Sequence, residues 1–296
     1  MHDPVLLQEV IEGLSLKPGM FIIDGTVNGG GHTEAIAHEI KSGTILATDL
    51  DNEILKKTQE KFKKNKPKHV EIIFEHSNYK YIPDILKQKK LGKADGLILD
   101  LGFSSEHLES GRGFSFKEEK LNEPLDMRYD NVGESAAEII NSRNKEDLTE
   151  ILWKYGEERF SRQIAKAITD ERKKKKIMTV GDLVDIVSKS VPKRFAHGKI
   201  NPATKTFQAL RIEVNKELEN VETILQALPE IIKPGGKVTI ISFHSLEDRI
   251  VKNHFRELVK TKKAISETKK PIIPKREEQI KNPRSRSAKL RIIQII

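Results

Sequence analysis

Short apolar runs alternate with stretches of helical periodicity between residues 21 and 101, and this alternation constrains the fold more than any other feature. The apolar runs are nearly continuous, as in strands that are buried on both faces of a parallel sheet. Helices that connect such strands cover both faces of the sheet. The predicted strands are 21–24, 44–49, 70–75 and 94–101, and the predicted helices between them are 32–41, 52–63 and 80–90. The sequence therefore predicts an α/β protein with a Rossmann-like half, preceded by a first helix within 2–18.

The rhythm changes after residue 101, where a polar loop is followed by helical pieces up to about residue 200. The pairs Asn144 with Asp147 and Thr179 with Asp182 resemble capping boxes at the starts of two of these helices. The predicted helices are 134–142, 145–155, 159–174 and 180–190. We interpret this part of the chain as a helical insert.

The sheet pattern resumes after the insert. A long helix is predicted from Asn201 to the Pro234 turn, with Asn201 as its N-cap and Pro202 at the first helical position. The elements predicted after it are a strand at 237–243, a helix at 246–260 and a last strand at 289–296. The predicted domains are a discontinuous sheet domain, 1–103 with 213–296, and an inserted helical domain, 104–212, which we expect to recognise the substrate.

Composition limits the classes of protein that need to be considered. No apolar run approaches the ~20 residues that span a bilayer, and Asp3 and Glu9 lie where a signal peptide would be basic and then apolar. The absence of cysteine excludes disulfides, thiolate metal ligands and a cysteine nucleophile. We therefore expect a soluble cytoplasmic protein. The net charge of +9 favours a polyanionic partner, although a lysine-rich proteome would give the same excess of positive charge.

A glycine cluster directly after the first predicted strand, within residues 25–31, suggests a ligand site. In an open α/β sheet such a turn lies outside the carboxyl end of the strand, where ligands bind. Gly29 and Gly31 lack the third glycine of the dinucleotide pattern, because Glu34 occupies its place. A nucleoside ligand without a pyrophosphate, such as S-adenosylmethionine, fits this turn better than a dinucleotide. A turn without a ligand is the alternative.

Polar residues at the ends of the next strands fit a nucleoside pocket. Asp49 stands about 20 residues after the glycines, where an acid commonly accepts ribose hydroxyls. Tyr79 could pack against an adenine or cover the edge of the sheet. Asp100 could bind the methionine end of the cofactor or the target amine, or it could cap the following loop.

Longer motifs resemble those of the bacterial RsmH (MraW) family, the methyltransferases of cytosine N4 in 16S ribosomal RNA. The match extends over nearly the whole chain. The motifs are PVLL at 4–7, DGT at 24–26 with GGH at 30–32, DLG at 100–102 with SS at 104–105, RGFSF at 112–116, PLDMR at 124–128, NPATKTFQALRIEVN at 201–215, SFHSLEDR at 242–249 and NPRSRSAKLR at 282–291.

This resemblance implies S-adenosylmethionine as the methyl donor and a cytidine in the decoding region of the small ribosomal subunit as the acceptor. Two positions depart from the usual family pattern, with Asn28 in place of glycine and His107 in place of glutamine. Asn is the residue other than glycine that best tolerates positive φ, so we expect the first change to be tolerated. The cofactor contacts implied by the resemblance are Gly30, Gly31, His32, Asp49, Tyr79, Asp100 and His107.

Asp100 is the candidate catalytic residue, as an acceptor for the proton that N4 loses. No metal site is expected, because His244 and Asp248 lack a third ligand placed by the sequence. The expected partner is 16S rRNA in the small subunit, with no DNA or membrane, and the protein is expected to be a monomer or a homodimer. A non-catalytic ribosome-assembly factor with a vestigial cofactor pocket is the alternative function.

Two groups of polar residues could meet RNA. One is a stripe along the Asn201 helix, for which buried packing is the alternative, and the other is the charge run 172–176, for which plain solvation is the alternative. The stripe consists of Thr204, Gln208, Arg211 and Asn215.

Overall fold

The computed structural model describes residues 4–65, 67–192 and 201–296. The chain folds into two compact units, one made of Met1–Ser104 with Leu218–Ile296 and the other of Ser105–Glu217. In the described ranges, no helix is long and apolar enough to cross a bilayer.

The first unit contains a seven-stranded sheet in the order β3-β2-β1-β4-β5-β7-β6. The strands are β1 Phe21–Asp24, β2 Gly43–Asp49, β3 Val70–His76, β4 Ala94–Asp100, β5 Ile232–Ser242, β6 Ala264–Ser266 and β7 Lys289–Ile295. β1 to β5 pair in parallel, whereas β7 runs antiparallel between β5 and β6. The predicted α/β architecture with a Rossmann-like sheet is confirmed.

Both units contain helices. They are α1 Leu7–Leu14, α2 Gly31–Ile40, α3 Asn52–Lys64, α4 Ile82–Lys89, α5 Ser105–Glu109, α6 Ala136–Ser142, α7 Lys145–Gly156, α8 Ser161–Glu171, α9 Val180–Ser190, α10 Thr204–Asn215, α11 Glu217–Ile231, α12 Ser245–Lys260 and α13 Arg276–Lys281. Side chains of neighbouring strand residues point to opposite faces of a sheet. Accordingly, Ile23 packs in one buried cluster with residues of α4, α11 and α12, whereas Ile22 packs in a second with residues of α1 and α2.

Some predicted elements differ from the structure, and some short elements were not predicted. The first helix is confined to Leu7–Leu14, and residues 2 and 3 of the predicted range lie outside the described residues. The long helix predicted from Asn201 is two helices, α10 and α11, separated at Lys216, which has φ of 51°. The apolar periodicity continues through this break, so the pattern did not reveal it. The fifth strand, predicted at 237–243, is β5 and begins at Ile232. The short strand β6 and the short helices α5 and α13 were not predicted.

The second unit is helical, as the sequence predicts for this part of the chain. Of the two predicted capping boxes, Thr179 with Asp182 forms a complete one. Asn144 is confirmed as an N-cap, since its side chain accepts a hydrogen bond from the Asp147 N–H at 2.8 Å. The predicted N-cap at Asn201 is wrong, because α10 begins at Thr204 and the Asn201 side chain accepts from the Ala203 N–H instead.

Removing the cap of α9 should destabilise the second unit. We expect Thr179→Ala to lower the free energy of unfolding by about 1 kcal/mol, because the Asp182 N–H loses its acceptor. Urea denaturation measures the change. Thr223→Ala is the matched control, since this exposed threonine lies inside α11, where its hydroxyl donates to the Glu219 carbonyl. Equal effects of the two substitutions would contradict the assignment.

Candidate cofactor site at the carboxyl edge of the sheet

The glycine turn after β1 is fixed by hydrogen bonds to the strands on both sides. The Gly25 N–H donates to the Ile98 carbonyl in β4, and the Val27 N–H donates to the Thr48 carbonyl in β2, each at 3.0 Å. The Thr48 hydroxyl returns a bond of 3.0 Å to the Gly25 carbonyl. The backbone of the turn is therefore positioned by the sheet itself, with no ligand required.

Asp24 holds the same turn from within, and sequence reasoning gave it no role. Its fully buried carboxylate accepts from the Thr33 hydroxyl at 2.6 Å and from the Thr26 N–H at 3.1 Å. Burial raises the pKa of Asp24 to about 6, against the lowering effect of these two bonds. An acid that ends a buried strand directly before a glycine turn was the available signal.

Positive φ angles shape the end of the turn. Asn28 has φ of 48°, so the residue that replaces glycine here adopts the conformation that Asn was expected to tolerate. Gly30 has φ of 77°, and a Cβ at this position would lie 2.7 Å from Thr58 Cγ2 and 2.9 Å from the Phe62 ring. Gly31 is less crowded, since a Cβ there would lie 3.0 Å from Pro4. Packing thus requires glycine at position 30 and favours it at position 31, and the contact of both with a cofactor stays a prediction.

Asp49, predicted to bind ribose hydroxyls, is already engaged by backbone donors. Its Oδ2 accepts from the Asn28 N–H at 2.7 Å, and its Oδ1 accepts from the Asp51 N–H at 2.9 Å. The carboxylate therefore joins the glycine turn to the start of α3. These bonds use two of the roughly four acceptor positions of a carboxylate. The ribose contact stays a prediction.

Tyr79 begins a short 3-10 helix, Tyr79–Tyr81, and packs against the core cluster that contains Leu99. Its Cβ lies 3.2 Å from the position that a Cβ on Gly25 would take. The structure therefore brings Tyr79 next to the glycine turn. Its packing matches the edge-covering alternative, and the adenine contact stays a prediction.

Asp100 ends β4 on the same edge of the sheet. Burial raises the pKa of its carboxyl to about 7, with smaller contributions from the negative charges of Asp24 and Glu247. In the described part of the chain, the carboxylate accepts one hydrogen bond, from the Gly102 N–H at 3.4 Å. The loop-capping alternative therefore holds in part, but that bond is long and leaves a poorly satisfied acid at the site.

His32 joins Asp100 to the N-terminal segment. The ring is buried, with Nε2 at 3.1 Å from the Val5 carbonyl and Nδ1 at 3.8 Å from Asp100 Oδ2. A carbonyl only accepts, so Nε2 carries a proton and Nδ1 is the nitrogen that faces the acid. His32 is thereby brought to Asp100, whereas its contact with a cofactor stays a prediction.

His107 lies in the second unit, on α5. It is buried in an aromatic cluster, with its ring centroid 5.5 Å from that of Phe114 and 4.7 Å from that of Tyr129. Its predicted contact with the cofactor stays a prediction.

The two groups of residues considered for RNA binding are mostly engaged within the second unit. Arg211 pairs with both carboxylate oxygens of Glu217, and Asn215 donates to the Met127 carbonyl. Gln208 donates to the Tyr155 carbonyl. These bonds favour the buried-packing alternative for the polar stripe.

The charge run is held by local ion pairs. Lys173 pairs with Asp170, Lys174 with Glu171 and Lys175 with Asp182. Arg172 donates to the Ile140 and Arg143 carbonyls near the end of α6. The run is therefore better explained by solvation and capping than by a phosphate site.

Of the two residues considered and rejected as metal ligands, Asp248 pairs with Arg291 at 2.7 Å and with Lys289 at 3.4 Å. The other, His244, is the N-cap of α12.

The parallel strands β1 to β5, with a glycine turn after β1 and carboxylates at the ends of β2 and β4, define a Rossmann-like domain. Within this class the family is shown directly, since the model of the MraW methylase family matches residues 1–296. The chain belongs to this family of methyltransferases.

Relatives of similar length support the assignment. Two of them are named ribosomal RNA small subunit methyltransferase H. The protein from Dictyoglomus thermophilum is 43% identical over 295 residues, which cover 99% of this chain and 96% of the relative. The protein from Gloeothece citriformis is 45% identical over 298 residues, which cover 99% of this chain and 94% of the relative. Among solved structures, an rRNA methylase from Streptococcus thermophilus covers 100% of this chain and 99% of its own, with 8% identity and a TM-score of 0.46.

Two substitutions separate the effect of crowding at Gly30 on stability from the effect of its positive φ. Gly30→Ala should lower the free energy of unfolding by about 2–4 kcal/mol, because strain at positive φ adds to a clash with Thr58 and Phe62. Gly19→Ala is the matched control, with φ of 85° and no atom within 4 Å of its Cβ, and it should cost only about 1 kcal/mol. Chemical denaturation of both variants checks the difference, and similar losses would contradict the packing role.

Proposed function

We propose that the protein transfers a methyl group from S-adenosylmethionine to N4 of a cytidine in the decoding region of 16S ribosomal RNA. Membership of the MraW methylase family supports the reaction class. The observation that carries the proposal is the poorly satisfied carboxylate of Asp100 at the ligand edge of the sheet. We further propose that the substrate is the rRNA of the small subunit and that the protein acts in the cytoplasm as a monomer or homodimer.

The residues around the glycine turn are suited to a cationic nucleoside. Asp100 has a carboxylate that is 14% exposed and accepts one long hydrogen bond among the described residues. A positively charged ammonium would satisfy this acid and relieve its repulsion from Asp24. We propose that Gly30, Gly31 and His32 contact the cofactor, that Asp49 accepts its ribose hydroxyls and that Tyr79 packs against its adenine. His107 belongs to the proposed set on the resemblance to the family.

When bound, S-adenosylmethionine supplies an electrophilic methyl group. The cytosine N4 lone pair is delocalised into the ring, so the amine is a weak nucleophile and must lose a proton as it is methylated. Asp100 is the proposed acceptor of that proton. Burial raises the pKa of Asp100 to about 7 in the free protein, which makes its carboxylate a better proton acceptor than an exposed aspartate, and pairing with an ammonium would lower that pKa again.

His32 is the proposed positioning residue for Asp100. The bond from its Nε2–H to the Val5 carbonyl fixes the ring, which leaves Nδ1 facing the carboxylate at 3.8 Å. After a small movement of either side chain, Nδ1 of His32 could accept the proton that Asp100 has taken up.

Ionisation of Asp100 should control cofactor affinity. Below its pKa the carboxyl is protonated and must release a proton before it can pair with an ammonium, so affinity should rise about tenfold per pH unit up to about pH 7 and level off above it. Asp100→Asn should bind more weakly and lose this dependence. Calorimetric titration with S-adenosylmethionine on both sides of pH 7 measures both effects.

Asp84→Asn removes the same charge from an exposed position on α4 and should keep the wild-type profile. An Asp100→Asn variant with normal affinity and normal turnover would rule out both proposed roles of this residue.

The function itself is tested by methyl transfer to small ribosomal subunits, followed by mapping of the modified base. We expect one N4-methylated cytidine in 16S rRNA. Naked 16S rRNA assayed in parallel shows whether the assembled particle is required. Binding of S-adenosylmethionine without transfer to either substrate would favour the alternative, a non-catalytic assembly factor, and absence of binding would contradict the methyltransferase proposal.

A further inference from the structure

A cleft of about 990 Å³ opens between α7 and α8 in the second unit. The residues that line this α7–α8 cleft include Lys145, Glu150, Trp153, Arg159, Arg162 and Lys166. None of them belongs to the proposed cofactor site. The cleft is built from one unit, so its shape follows from the packing of these two helices alone.

Trp153 is the most unusual residue in the cleft. It is the only tryptophan in the chain, and its side chain is 63% exposed. Tryptophan is on average among the more buried residues, because its large apolar surface is costly to leave in water. Lys145, Thr149 and Trp153 follow at intervals of four residues, so they share one face of α7. An exposed indole inside a cleft offers a flat ring face to a ligand.

The charge around the indole is positive. Four basic residues line the cleft, against the two acids Glu146 and Glu150. Lys145 pairs with Glu146 at 3.1 Å, and Lys166 pairs with Asp170 at 2.6 Å.

The two arginines have different surroundings from the paired lysines. The guanidinium of Arg159 stacks on the Phe160 ring, with 4.9 Å from Cζ to the ring centroid. Arg162 is exposed and forms no ion pair with any described residue. Arg162 and Lys166 are four residues apart on α8, so the positive charge extends along one helix face.

We propose that the α7–α8 cleft binds an unpaired segment of RNA, with one base stacked on Trp153 and phosphates near Arg159 and Arg162. Aromatic rings that stack on bases, beside cations that follow the backbone, are how proteins hold single strands. A base in a duplex does not present its face to an indole, so the bound segment must be unpaired. The inference rests on the proposed function for the choice of RNA as the polyanion.

The single tryptophan makes the proposal directly measurable. A short single-stranded oligoribonucleotide is titrated into the full-length protein, with excitation at a wavelength that tyrosine does not absorb. Stacking of a base on Trp153 should quench its emission in a saturable manner. The same strand annealed to its complement should quench much less. Inorganic polyphosphate, which has charge but no bases, should not quench.

Substitutions then separate stacking from charge, with affinity measured from the anisotropy of a labelled oligoribonucleotide. Trp153→Ala should weaken binding on the order of 5- to 100-fold, and Trp153→Phe should restore part of it. Arg162→Gln should weaken binding and reduce the slope of log affinity against log salt by about 0.7. Arg256→Gln removes the same charge from an exposed position on α12 and should change neither value.

Methyl transfer to small subunits, measured on the same samples, distinguishes this inference from the proposed function. Trp153→Ala should raise the KM for the subunit with little change in kcat. The cleft proposal would be overturned, and the function left intact, if the wild-type protein transferred methyl groups without any quenching of Trp153 and the Trp153→Ala variant had a normal KM. Quenching without any transfer would support the cleft and reject the function. A change in molecular mass on Trp153→Ala in sedimentation analysis, without loss of RNA affinity, would instead make the cleft an interface between copies and overturn the proposal.

Discussion

The shape of the turn after β1 depends on hydrogen bonds that the sheet and one buried acid provide. Gly25 and Val27 are tied to the strands on either side, and the Asp24 carboxylate closes the turn by accepting from Thr33 and Thr26. The proposed contacts of the first unit lie on or beside this turn. The turn is therefore preorganised, and little of the free energy of binding would be spent on ordering it.

Negative charge accumulates where the parallel strands end. Burial is the main cause that raises the pKa of Asp24 and of Asp100, and a neighbouring negative charge adds to each shift, that of Asp49 for Asp24 and that of Asp24 for Asp100. A cationic ligand relieves this repulsion and a neutral one does not. If the proposed donor binds here, loss of the sulfonium charge on methyl transfer weakens the electrostatic part of its binding. The same acids would then hold the substrate form of the cofactor more tightly than the product form.

Local patterns allowed much of the fold to be predicted, and non-local contacts account for the rest. β1 to β4 are continuous apolar runs, and the cap at Thr179 is a four-residue motif, so short windows were enough. The break at Lys216 was missed because the apolar stripe continues across it. The role of Asp24 depends on how the turn folds Thr26 and Thr33 onto its carboxylate, and the exposure of Trp153 depends on which face of α7 is covered, and residue spacing reports neither. The candidate residues at the strand ends were found because parallel strands bring them to one edge, but what they bind is a question of chemistry rather than of pattern.

The pairing of β4 with β5 joins strands that residues 101–231 separate in the chain. Pairing across so long an interval carries a large entropic cost if the intervening chain is flexible, and topologies of this kind fold slowly. Residues 105–217 form their own compact unit, with its own capped helices. If this unit folds first, it shortens the effective loop that must close between the two strands. The insert would then serve as an internal folding aid for the sheet that it interrupts.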